Sequence, residues 1–561
     1  MTEKLNYFDE LREQVMNKEK WDRNRFHVFD YEAGTGKSRN SHQYIGEMTK
    51  VYSSYRVLYV QRFIRDDELN HTVASINEHA GMQVAVAFTG KDTKSKKRKN
   101  QAKEAQVLCI THRMYSEICR GSHPELMDNR NTLIIDEYPD LLEKIAVSEQ
   151  DIGYLWFVQY KYRNETIENL SQMLRDKFSE CNKKTNHDKA NQMVYIDFHE
   201  PEYVVIKSKL PDIIESISDK SDKILLSRML QIVTNGCFLY EENLYTFDNQ
   251  FRFKMLDNNI ILDANGFDFR YSLSNKFHIR HQPKSYEYSS STFYHYEVKT
   301  SKKELSRQIN LHEQALEIIS LNSKERTLFI TDKDNQAQLE EKLGDFLSST
   351  GMDDEEITTA INENFKVDYF GNIIGVNSYR EFENVVVLKT PNFDYLTYAL
   401  TYLFYRRIDN KPVEDVCVFR HEEVESIRKS AVAGEIYQGI KRINRDNSKQ
   451  AKMYVFTTNQ DAVDLILQQL PGVQYKKEIM NVNKRKTETN KKKTKFEEQV
   501  EIVKATINVA LSEGRESIQK KEIRDKFGEI DKGNFSRIIK ACQSFIESQG
   551  FKNEWQRIIL K

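Results

Sequence analysis

The feature that most constrains this chain is a glycine-broken turn, residues 31–38 (YEAGTGKS), which follows the apolar run Phe26-His27-Val28-Phe29. A helix is predicted directly after the turn. A strand that ends in a loop of small residues and continues as a helix directs its free backbone N–H groups, with the positive end of the helix dipole, at one point. The pattern therefore predicts a phosphate site at this turn.

Each residue type in the turn suits a bound triphosphate. Gly34 and Gly36, with Thr35 between them, allow backbone angles and a close approach that a side chain would block. Lys37 can reach the β and γ phosphates, and the Ser38 hydroxyl can ligate Mg²⁺. This is a Walker A loop whose leading glycine or alanine is replaced by tyrosine. The alternative is an ordinary glycine-containing turn without a ligand.

Length and composition limit the remaining possibilities. A chain of 561 residues is too long for one hydrophobic core, so we expect three or four domains. Charged residues make up 30% and apolar residues 39%, which predicts a soluble, cytoplasmic protein with no membrane partner. Because the net charge is only −1, any nucleic acid must be bound through local basic patches.

Two adjacent carboxylates follow another apolar run. Residues 132–135 (TLII) predict a buried strand, and Asp136 and Glu137 come directly after it. Such a pair is unfavourable without a partner, and a magnesium ion resolves that. We therefore assign Asp136 as a Mg²⁺ ligand together with Ser38. Glu137 is assigned to orient and deprotonate the water that attacks the γ phosphate. The alternative is a surface turn.

Polar side chains also follow the strands predicted at residues 55–63 and 106–110. The carboxyl ends of parallel strands are where ligands bind in α/β folds. We therefore expect ligand contacts at Arg62, Thr111, His112 and Arg113, and the family resemblance described next assigns these four residues to nucleic acid. The lysine-rich run at residues 91–103 is predicted to be a solvated loop.

These motifs, in this order, resemble motifs I, Ib and II of superfamily 2 helicases. The next landmark of that family is a strand that ends in Ser-Ala-Thr or Asp-Ala-Thr. Residues 259–266 (NIILDANG) match it in part, with Asn265 in the threonine position. The resemblance implies ATP and Mg²⁺ as ligands and nucleic acid as the partner. It also implies an α/β fold of two tandem RecA-like P-loop lobes.

About 120 residues lie between Asp140 and Ile260. Their apolar spacing is mostly helical, which predicts an inserted domain. An insertion at this point resembles the arch of the DNA-repair iron-sulfur helicases, although the cysteines of the cluster are absent. The insertion is a candidate site for a protein partner.

The second half of the chain repeats the pattern of strands with polar ends. Residues 326–333 resemble motif IV. Gly375 and Asn377 precede a strand at 384–389 and resemble the Gly-x-Asn of motif V, which contacts nucleotide and nucleic acid. The resemblance assigns Gly375 to the nucleotide and Asn377 to the nucleic acid. A glycine turn before a strand would look the same.

The decisive stretch is residues 438–445 (QGIKRINR), which resembles motif VI, Gln-x-x-Gly-Arg-x-x-Arg, with lysine in place of the glycine. Gln438, Arg442 and Arg445 follow the spacing i, i+4 and i+7, so on a helix they share one face. That face could present two guanidinium groups to a nucleotide held by the other lobe and stabilise the transferred phosphoryl group. We assign all three residues as catalytic. The alternative is a solvated basic helix.

After residue 475 the composition changes. Residues 484–495 lack apolar side chains and predict a linker. The last segment predicts three helices and a hairpin, which resembles a winged-helix domain whose third helix enters the major groove. Arg537 and Lys540 would lie on the outer face of that helix and contact DNA. A winged helix that docks a protein is the alternative.

Together these patterns predict a set of domains: residues 1–140 and 251–275 as the first RecA-like lobe, 141–250 as a mainly helical insertion, 276–475 as the second lobe, 476–497 as a basic linker and 498–561 as a winged-helix-like domain. The implied function is that of an ATP-dependent helicase or translocase on single-stranded or forked DNA. Two alternatives stay open. One is an ATPase switch or motor that binds DNA without unwinding it, and the other is a non-enzymatic DNA-binding regulator.

Overall fold

The structure is a computed structural model that describes residues 7–62, 67–139, 142–185, 191–248, 252–305, 310–319, 325–373, 378–482, 495–527, 530, 532–554 and 556–560. Within these ranges, no helix combines the length and the apolar content needed to cross a membrane. The contacts divide the chain into two units, Met1–Asn483 and Lys484–Lys561.

The first lobe begins with alternating strands and helices, the pattern of parallel β-α-β units. Its first strands are β1 (Phe26–Phe29), β2 (Val57–Gln61), β3 (Ala85–Ala87), β4 (Val107–Thr111) and β5 (Thr132–Asp136). Its helices are α1 (Asp9–Met16), α2 (Lys37–Val51), α3 (Glu68–Ala80), α4 (Lys96–Glu104) and α5 (His112–Cys119), with 3₁₀ turns at Lys18–Lys20, Asp92–Lys94 and Pro124–Leu126. The strands are almost continuously apolar because helices cover both faces of the sheet.

The lysine-rich run at residues 91–103, predicted to be a solvated loop, instead contains helix α4. Ser95 caps this helix, since its hydroxyl accepts the N–H of Arg98 at 3.3 Å. Ala102 is buried in the core. One cap, one buried contact and residues of good helix propensity are enough to form a short helix whose other faces are solvated.

An inserted domain follows β5. Its strands are β6 (Lys144–Ser148), β7 (Gln192–Ile196), β8 (Cys237–Tyr240) and β9 (Asn243–Phe247). Its helices are α6 (Glu149–Tyr162), α7 (Glu165–Thr185), α8 (Pro201–Ser216) and α9 (Lys220–Asn235). The strands pair antiparallel, and the helices and strands share an apolar core of their own. Helices supply most of the domain, and the sheet is an addition that the sequence did not predict.

The chain then returns to the first sheet through β10 (Asn258–Leu262), a 3₁₀ turn at Phe269–Ser272 and β11 (Phe277–Arg280). The pairings are parallel, in the order β11-β1-β10-β5-β2-β4-β3. Because β1 and β5 flank β10, the loops that follow them meet at one edge of the sheet. The first lobe extends to residue 280 rather than 275, since β11 pairs with β1.

The second lobe repeats this layout. Its strands are β12 (Thr292–Glu297), β13 (Thr327–Thr331), β14 (Phe365–Tyr369), β15 (Asn384–Val387), β16 (Val416–Cys417), β17 (Lys452–Phe456) and β18 (Gln474–Ile479). Its helices are α10 (Lys302–Leu305), α11 (Leu311–Ile318), α12 (Gln336–Ser349), α13 (Asp354–Glu363), α14 (Phe370–Ile373), α15 (Tyr395–Ile408), α16 (Glu422–Ile440) and α17 (Gln460–Gln468). Apart from β16, the strands form a parallel sheet in the order β14-β13-β15-β17-β12-β18. The two-lobed α/β fold that the resemblance implies is confirmed.

Residues 476–479, predicted to begin the basic linker, belong instead to β18 at the edge of the second sheet. This strand pairs in parallel with β12, and Lys477 forms an ion pair of 2.8 Å with Glu297. An exposed edge strand carries charged side chains, which prevent further strands from pairing with it. The composition of β18 therefore resembles that of a charged linker.

Strand β16 connects the second lobe to the inserted domain. It pairs antiparallel with β7 and extends the sheet of the insertion to β16-β7-β8-β9-β6. Helix α15, which precedes β16, is buried along most of its length. On α15, Phe404 contacts Phe247 of β9, and Tyr405 contacts Phe277 of β11. The second lobe therefore supplies a helix and a strand to the core of the insertion and of the first lobe.

The unit Lys484–Lys561 has its own apolar core. Its elements are α18 (Lys495–Ser512), β19 (Ser517–Gln519), α19 (Lys520–Asp525), α20 (Lys532–Ala541), α21 (Gln543–Ser548), β20 (Phe551–Asn553) and β21 (Arg557–Leu560). The strands pair antiparallel in the order β19-β21-β20. The predicted third helix over residues 534–549 is divided at Cys542 into α20 and α21. The assignment to the winged-helix class stays a prediction.

The packing of α2 against α3 provides a test of the fold. A Cβ on Gly46 would lie 2.7 Å from the Cβ of His79 and 2.8 Å from the backbone of Ala80, so alanine would push the helices apart. We expect Gly46→Ala to lower the free energy of unfolding by about 1–3 kcal/mol. Urea denaturation followed by circular dichroism measures the change.

Gly153 is the matched control, because it lies inside α6 with nothing within 4 Å of the added Cβ. Gly153→Ala should raise the free energy of unfolding by about 0.5–1 kcal/mol through helix propensity. Equal effects at the two positions would contradict the close packing of α2 and α3.

Candidate nucleotide site

The phosphate loop lies at the carboxyl end of β1 and continues into α2, which begins at Lys37. Gly34 and Gly36 both have a φ of +91°, in the left-handed region that favours glycine. A Cβ on Gly34 would also approach the carbonyl oxygen of Arg445 to 2.6 Å, so the glycine permits close contact with the second lobe. The Thr35 hydroxyl donates to the carbonyl oxygen of Glu32 at 2.8 Å and closes the turn.

The residues predicted to hold Mg²⁺ lie together. The Ser38 hydroxyl donates to Asp136 Oδ2 at 2.6 Å, and the Tyr59 hydroxyl donates to the same oxygen at 3.2 Å. This contact forms because β1 and β5 end at the same edge of the sheet. Ser38 and Asp136 present adjacent oxygen atoms, the ligand type that Mg²⁺ prefers, so the residues fit the ion.

Glu137 has an uncommon backbone conformation. Its φ is +66°, and its N–H donates to the carbonyl oxygen of Leu262 in β10 at 3.0 Å. Non-glycine residues in this region cost on the order of 1–3 kcal/mol and are concentrated at functional sites. The turn places Glu137 next to Asp136 in the lining of a cavity, where a carboxylate can accept a proton from water.

Arg442 and Arg445 reach the same cavity from the second lobe, but not from a helix. Helix α16 ends at Ile440, so the prediction of a shared helical face is wrong. The turn that follows includes Asn444 with a φ of +40°, which a helix does not contain. Gln438 lies on the last turn of α16, and its Oε1 accepts from Arg442 Nη2 at 3.4 Å.

The lobes enclose a cavity of about 490 Å³ between these elements. Its lining includes residues that the sequence analysis assigned: Lys37, Ser38, Arg62, Asp136, Glu137, Arg442 and Arg445. Arg62, assigned to nucleic acid, lies in this cavity. Motifs from distant parts of the chain thus surround one space of nucleotide size. The two α/β lobes therefore meet around one candidate nucleotide site.

The electrostatics of this cleft favour an anionic ligand. Burial lowers the pKa of Arg442 to about 10, and the neighbouring Arg445 acts in the same direction. Burial also lowers the pKa of Arg445. Arg442 Nε is buried without a hydrogen-bond partner in the described part of the chain. Two buried guanidinium groups in proximity repel each other, and the phosphates of a nucleotide would neutralise both.

Some residues at the site carry no sequence signal. Burial raises the pKa of Glu435 on α16, which faces Arg62 and Arg442. His42 on α2 lines the cavity, and burial lowers its pKa to about 4, so its ring is neutral. Both lie inside helices, away from any motif, and only the tertiary structure brings them to the cleft.

The remaining predicted contacts are placed as follows. Thr111 caps α5 by accepting the N–H of Met114 at 3.2 Å. His112 Nε2 lies 3.0 Å from the carbonyl oxygen of Asp136, and because burial lowers the pKa of His112 to about 4, the neutral ring donates this bond. Arg113 is exposed on α5. Gly375 and Asn377 lie outside the described residues.

In the unit Lys484–Lys561, Arg537 is exposed on α20. Lys540 lines a groove of about 720 Å³ within that unit. The groove lies between α19, α20 and the hairpin of β20 and β21, and Arg537 is not among its described lining residues.

Comparison with solved structures gives remote similarities. An apo structure of XPD is 14% identical with a TM-score of 0.44, and the match covers 84% of this chain and 100% of that one. S. tokodaii Xpd4 is 14% identical with a TM-score of 0.46, over 84% of this chain and 99% of that one. The DUF1998 helicase MrfA bound to DNA and AMPPNP is 10% identical with a TM-score of 0.35, over 100% of this chain and 62% of that one. No protein-family model and no curated protein sequence matches. At these TM-scores the similarities assign no activity.

Proposed function

We propose that this protein is an ATP-dependent helicase or translocase that acts on nucleic acid, with single-stranded or forked DNA as the preferred partner. The observation that supports this function is the cavity between the lobes. In it, Lys37, Asp136 and Glu137 of the first lobe face Arg442 and Arg445 of the second. Phosphate binding, metal binding, water activation and charge stabilisation are therefore available around one ligand.

Each side chain has a role in hydrolysis that follows from its chemistry. Lys37 and the amino terminus of α2 bind the β and γ phosphates. Ser38 and Asp136 would hold Mg²⁺, and the ion would neutralise charge on the phosphates. Glu137 accepts a proton from the attacking water. Arg442 and Arg445 stabilise the charge that develops on the transferred phosphoryl oxygens.

The cleft also has a contact through which hydrolysis could move the lobes. Asn265, which follows β10, lies against Gly434 of α16, 3.4 Å from the position of an added Cβ. The Ser430 hydroxyl of α16 donates to Asp268 at 3.2 Å. The helix that leads to the arginines thus packs against the loop after β10. Closure of the lobes on ATP and opening after hydrolysis would move them along a bound strand.

A basic groove supports nucleic acid as the partner. The groove within the unit Lys484–Lys561 is lined mostly by cations and amides, with Phe535, Ser536 and Ile539 beside them, and has no carboxylate among its described lining residues. The cations and amides are Lys520, Lys521, Arg524, Lys540, Gln519, Gln543, Asn553 and Gln556. Cations bind the phosphate backbone, and amides can hydrogen-bond to base edges. This lining favours nucleic acid over a docked protein for this unit.

The main alternative is an ATPase motor or switch that acts through a protein partner without separating strands. Helix α6 of the insertion favours it, because Tyr154, Phe157 and Tyr160 are 49%, 68% and 63% exposed at a spacing of three residues. Exposed aromatic groups of this kind mark interaction surfaces. Displacement of an annealed oligonucleotide distinguishes the two, because a switch would hydrolyse ATP without displacing it. A non-enzymatic regulator would hydrolyse no ATP at all.

The first test concerns the phosphate loop and the base. Lys37→Ala and Glu137→Gln should each reduce ATP turnover by about 10²-fold or more, since one removes a phosphate contact and the other the proton acceptor. Glu137→Gln should retain ATP binding, because the carboxamide keeps the shape of the side chain. Coupled ATPase assays with and without single-stranded DNA, RNA and duplex measure turnover, and a fluorescent ATP analogue measures binding. Wild-type turnover in both variants would exclude the assignment.

Arg445 gives a second test. Arg445→Ala should slow hydrolysis by about 10³-fold or more, because the arginine acts on the developing charge and less on ground-state binding. Arg380→Ala is the control, since Arg380 is a nearby arginine that pairs with Glu381 and Asp446 outside the cavity. A loss of nucleotide binding as large as the loss of turnover would contradict the catalytic role of Arg445.

The groove gives a third test. In the full chain, Lys520→Glu with Lys521→Glu should weaken binding to single-stranded DNA and reduce the magnitude of the slope of log affinity against log salt by about 1.4, because each phosphate contact on a single strand contributes about 0.7 to that slope. Lys552→Glu is the control, because Lys552 pairs with Glu554 outside the groove. Fluorescence anisotropy over a salt series measures both. Equal losses in the two variants would remove the groove as the binding site.

A further inference from the structure

A buried lysine lies where the helicase motif has glycine. Lys441 follows the last residue of α16, is 4% exposed, and its Nζ lies 3.7 Å from Glu32 Oε1. Its ammonium donates to the Tyr288 hydroxyl, which in turn donates to Glu32. The rings of Tyr286 and Tyr288 lie 4.9 and 4.8 Å from the ammonium, close enough for cation–π attraction. The charge is therefore held by a carboxylate, a hydroxyl and two ring faces.

The carboxylate belongs to the phosphate loop. Glu32 is 1% exposed, and its Oε2 accepts the backbone N–H groups of Ser285 and Tyr286 at 3.0 and 3.2 Å. The Tyr286 hydroxyl donates to the carbonyl oxygen of Gly34 at 3.3 Å. Glu32 thus ties the phosphate loop to the segment between β11 and β12. Through Lys441 the same carboxylate is tied to the turn after α16.

We propose that Lys441 is a positioning residue for the nucleotide site: its pairing with Glu32 fixes the turn that carries Arg442 and Arg445 against the phosphate loop. This inference rests on the proposed function, since it concerns the same cavity. Lys441 directly precedes Arg442, and the carbonyl oxygen of Arg445 lies only 2.6 Å from the position that a Cβ on Gly34 would take. A small displacement of the turn would therefore move both guanidinium groups relative to the phosphates, and a shift of about 1 Å can reduce a rate about 10²-fold.

The pair has a predictable response to pH. Burial, with a smaller effect of Arg445, lowers the pKa of Lys441 to about 8 against the opposing effect of Glu32. Tyrosines also face the pair, and burial raises the pKa of each, so they stay neutral near that pH: Tyr7, Tyr286, Tyr288 and Tyr437. Lys441 loses its proton as pH rises through about 8, so turnover should fall there.

Unfolding does not account for this loss. The pKa of Lys441 is below its ordinary value of 10.5, so between pH 8 and 10.5 the unfolded chain binds a proton that the folded chain has released. The contribution of Lys441 to stability therefore rises with pH in the window where the positioning charge disappears. Activity and stability should change in opposite directions.

The experiment compares Lys441→Met and Lys441→Arg in the full chain with Lys449→Met, whose lysine lies in the following loop and pairs with Glu383 at 3.0 Å. Steady-state ATP hydrolysis is measured from about pH 6 to about pH 9.5. Lys441→Met should lower kcat by about tenfold or more, with a smaller change in KM, and abolish the fall near pH 8. Lys441→Arg keeps its charge over this range and should retain more activity, with the fall moved to higher pH. Lys449→Met should match the wild type.

A Lys441→Met variant with the wild-type kcat and the wild-type pH profile would overturn the inference. If that variant does not fold, the wild type is compared with Lys441→Arg. The inference would be overturned if wild-type turnover did not fall across pH 8, or if turnover fell at the same pH in the wild type and in Lys441→Arg. A wild type that hydrolyses no ATP at any pH would remove the proposed function and this inference together. An active wild type with unaffected variants would remove this inference alone.

Discussion

The approach of the Arg445 carbonyl to Gly34 is the contact on which the rest of the structure depends. It requires a glycine in the left-handed region after β1 and a turn after α16 that reaches across the cleft. With the lobes this close, the cavity contains cations from both sides and carboxylates from one. Charges act strongly on one another in such a partly buried space. The cations of the lining outnumber its carboxylates, so an anion with several negative charges would neutralise the excess.

Much of the first half of the site follows from local sequence. An apolar run that ends in a glycine turn, and a second run that ends in Asp136 and Glu137, determine their own conformation within a few residues. Only the order of strands in the sheet brings them together, and that order comes from parallel pairing over long separations in the chain. The sequence therefore predicted that Ser38 and Asp136 serve the same metal ion, but it could not predict the 2.6 Å hydrogen bond between them.

Elsewhere the local pattern was misleading. The spacing of Gln438, Arg442 and Arg445 fits a helix, yet the helix ends at Ile440, and a turn brings the arginines to the cavity by another route. The predicted start of the linker, residue 476, was wrong for a related reason. The edge strand β18 is short and charged, and composition alone does not separate such a strand from a linker. The partnership of Glu32 with Lys441 had no local signal, because it joins residues about 400 positions apart.

Strand β16 gives the inserted domain an unusual attachment. The domain is covalently part of the first lobe, but the last strand of its sheet comes from the second lobe, whose helix α15 also packs against β9 of the domain. It therefore joins the two lobes a second time, and a rotation of one lobe against the other would shear that sheet or bend the segments that lead to it. On the proposed function, a molecule bound to the insertion would be displaced when the lobes close on a nucleotide, and one that held the insertion rigid would slow that closure.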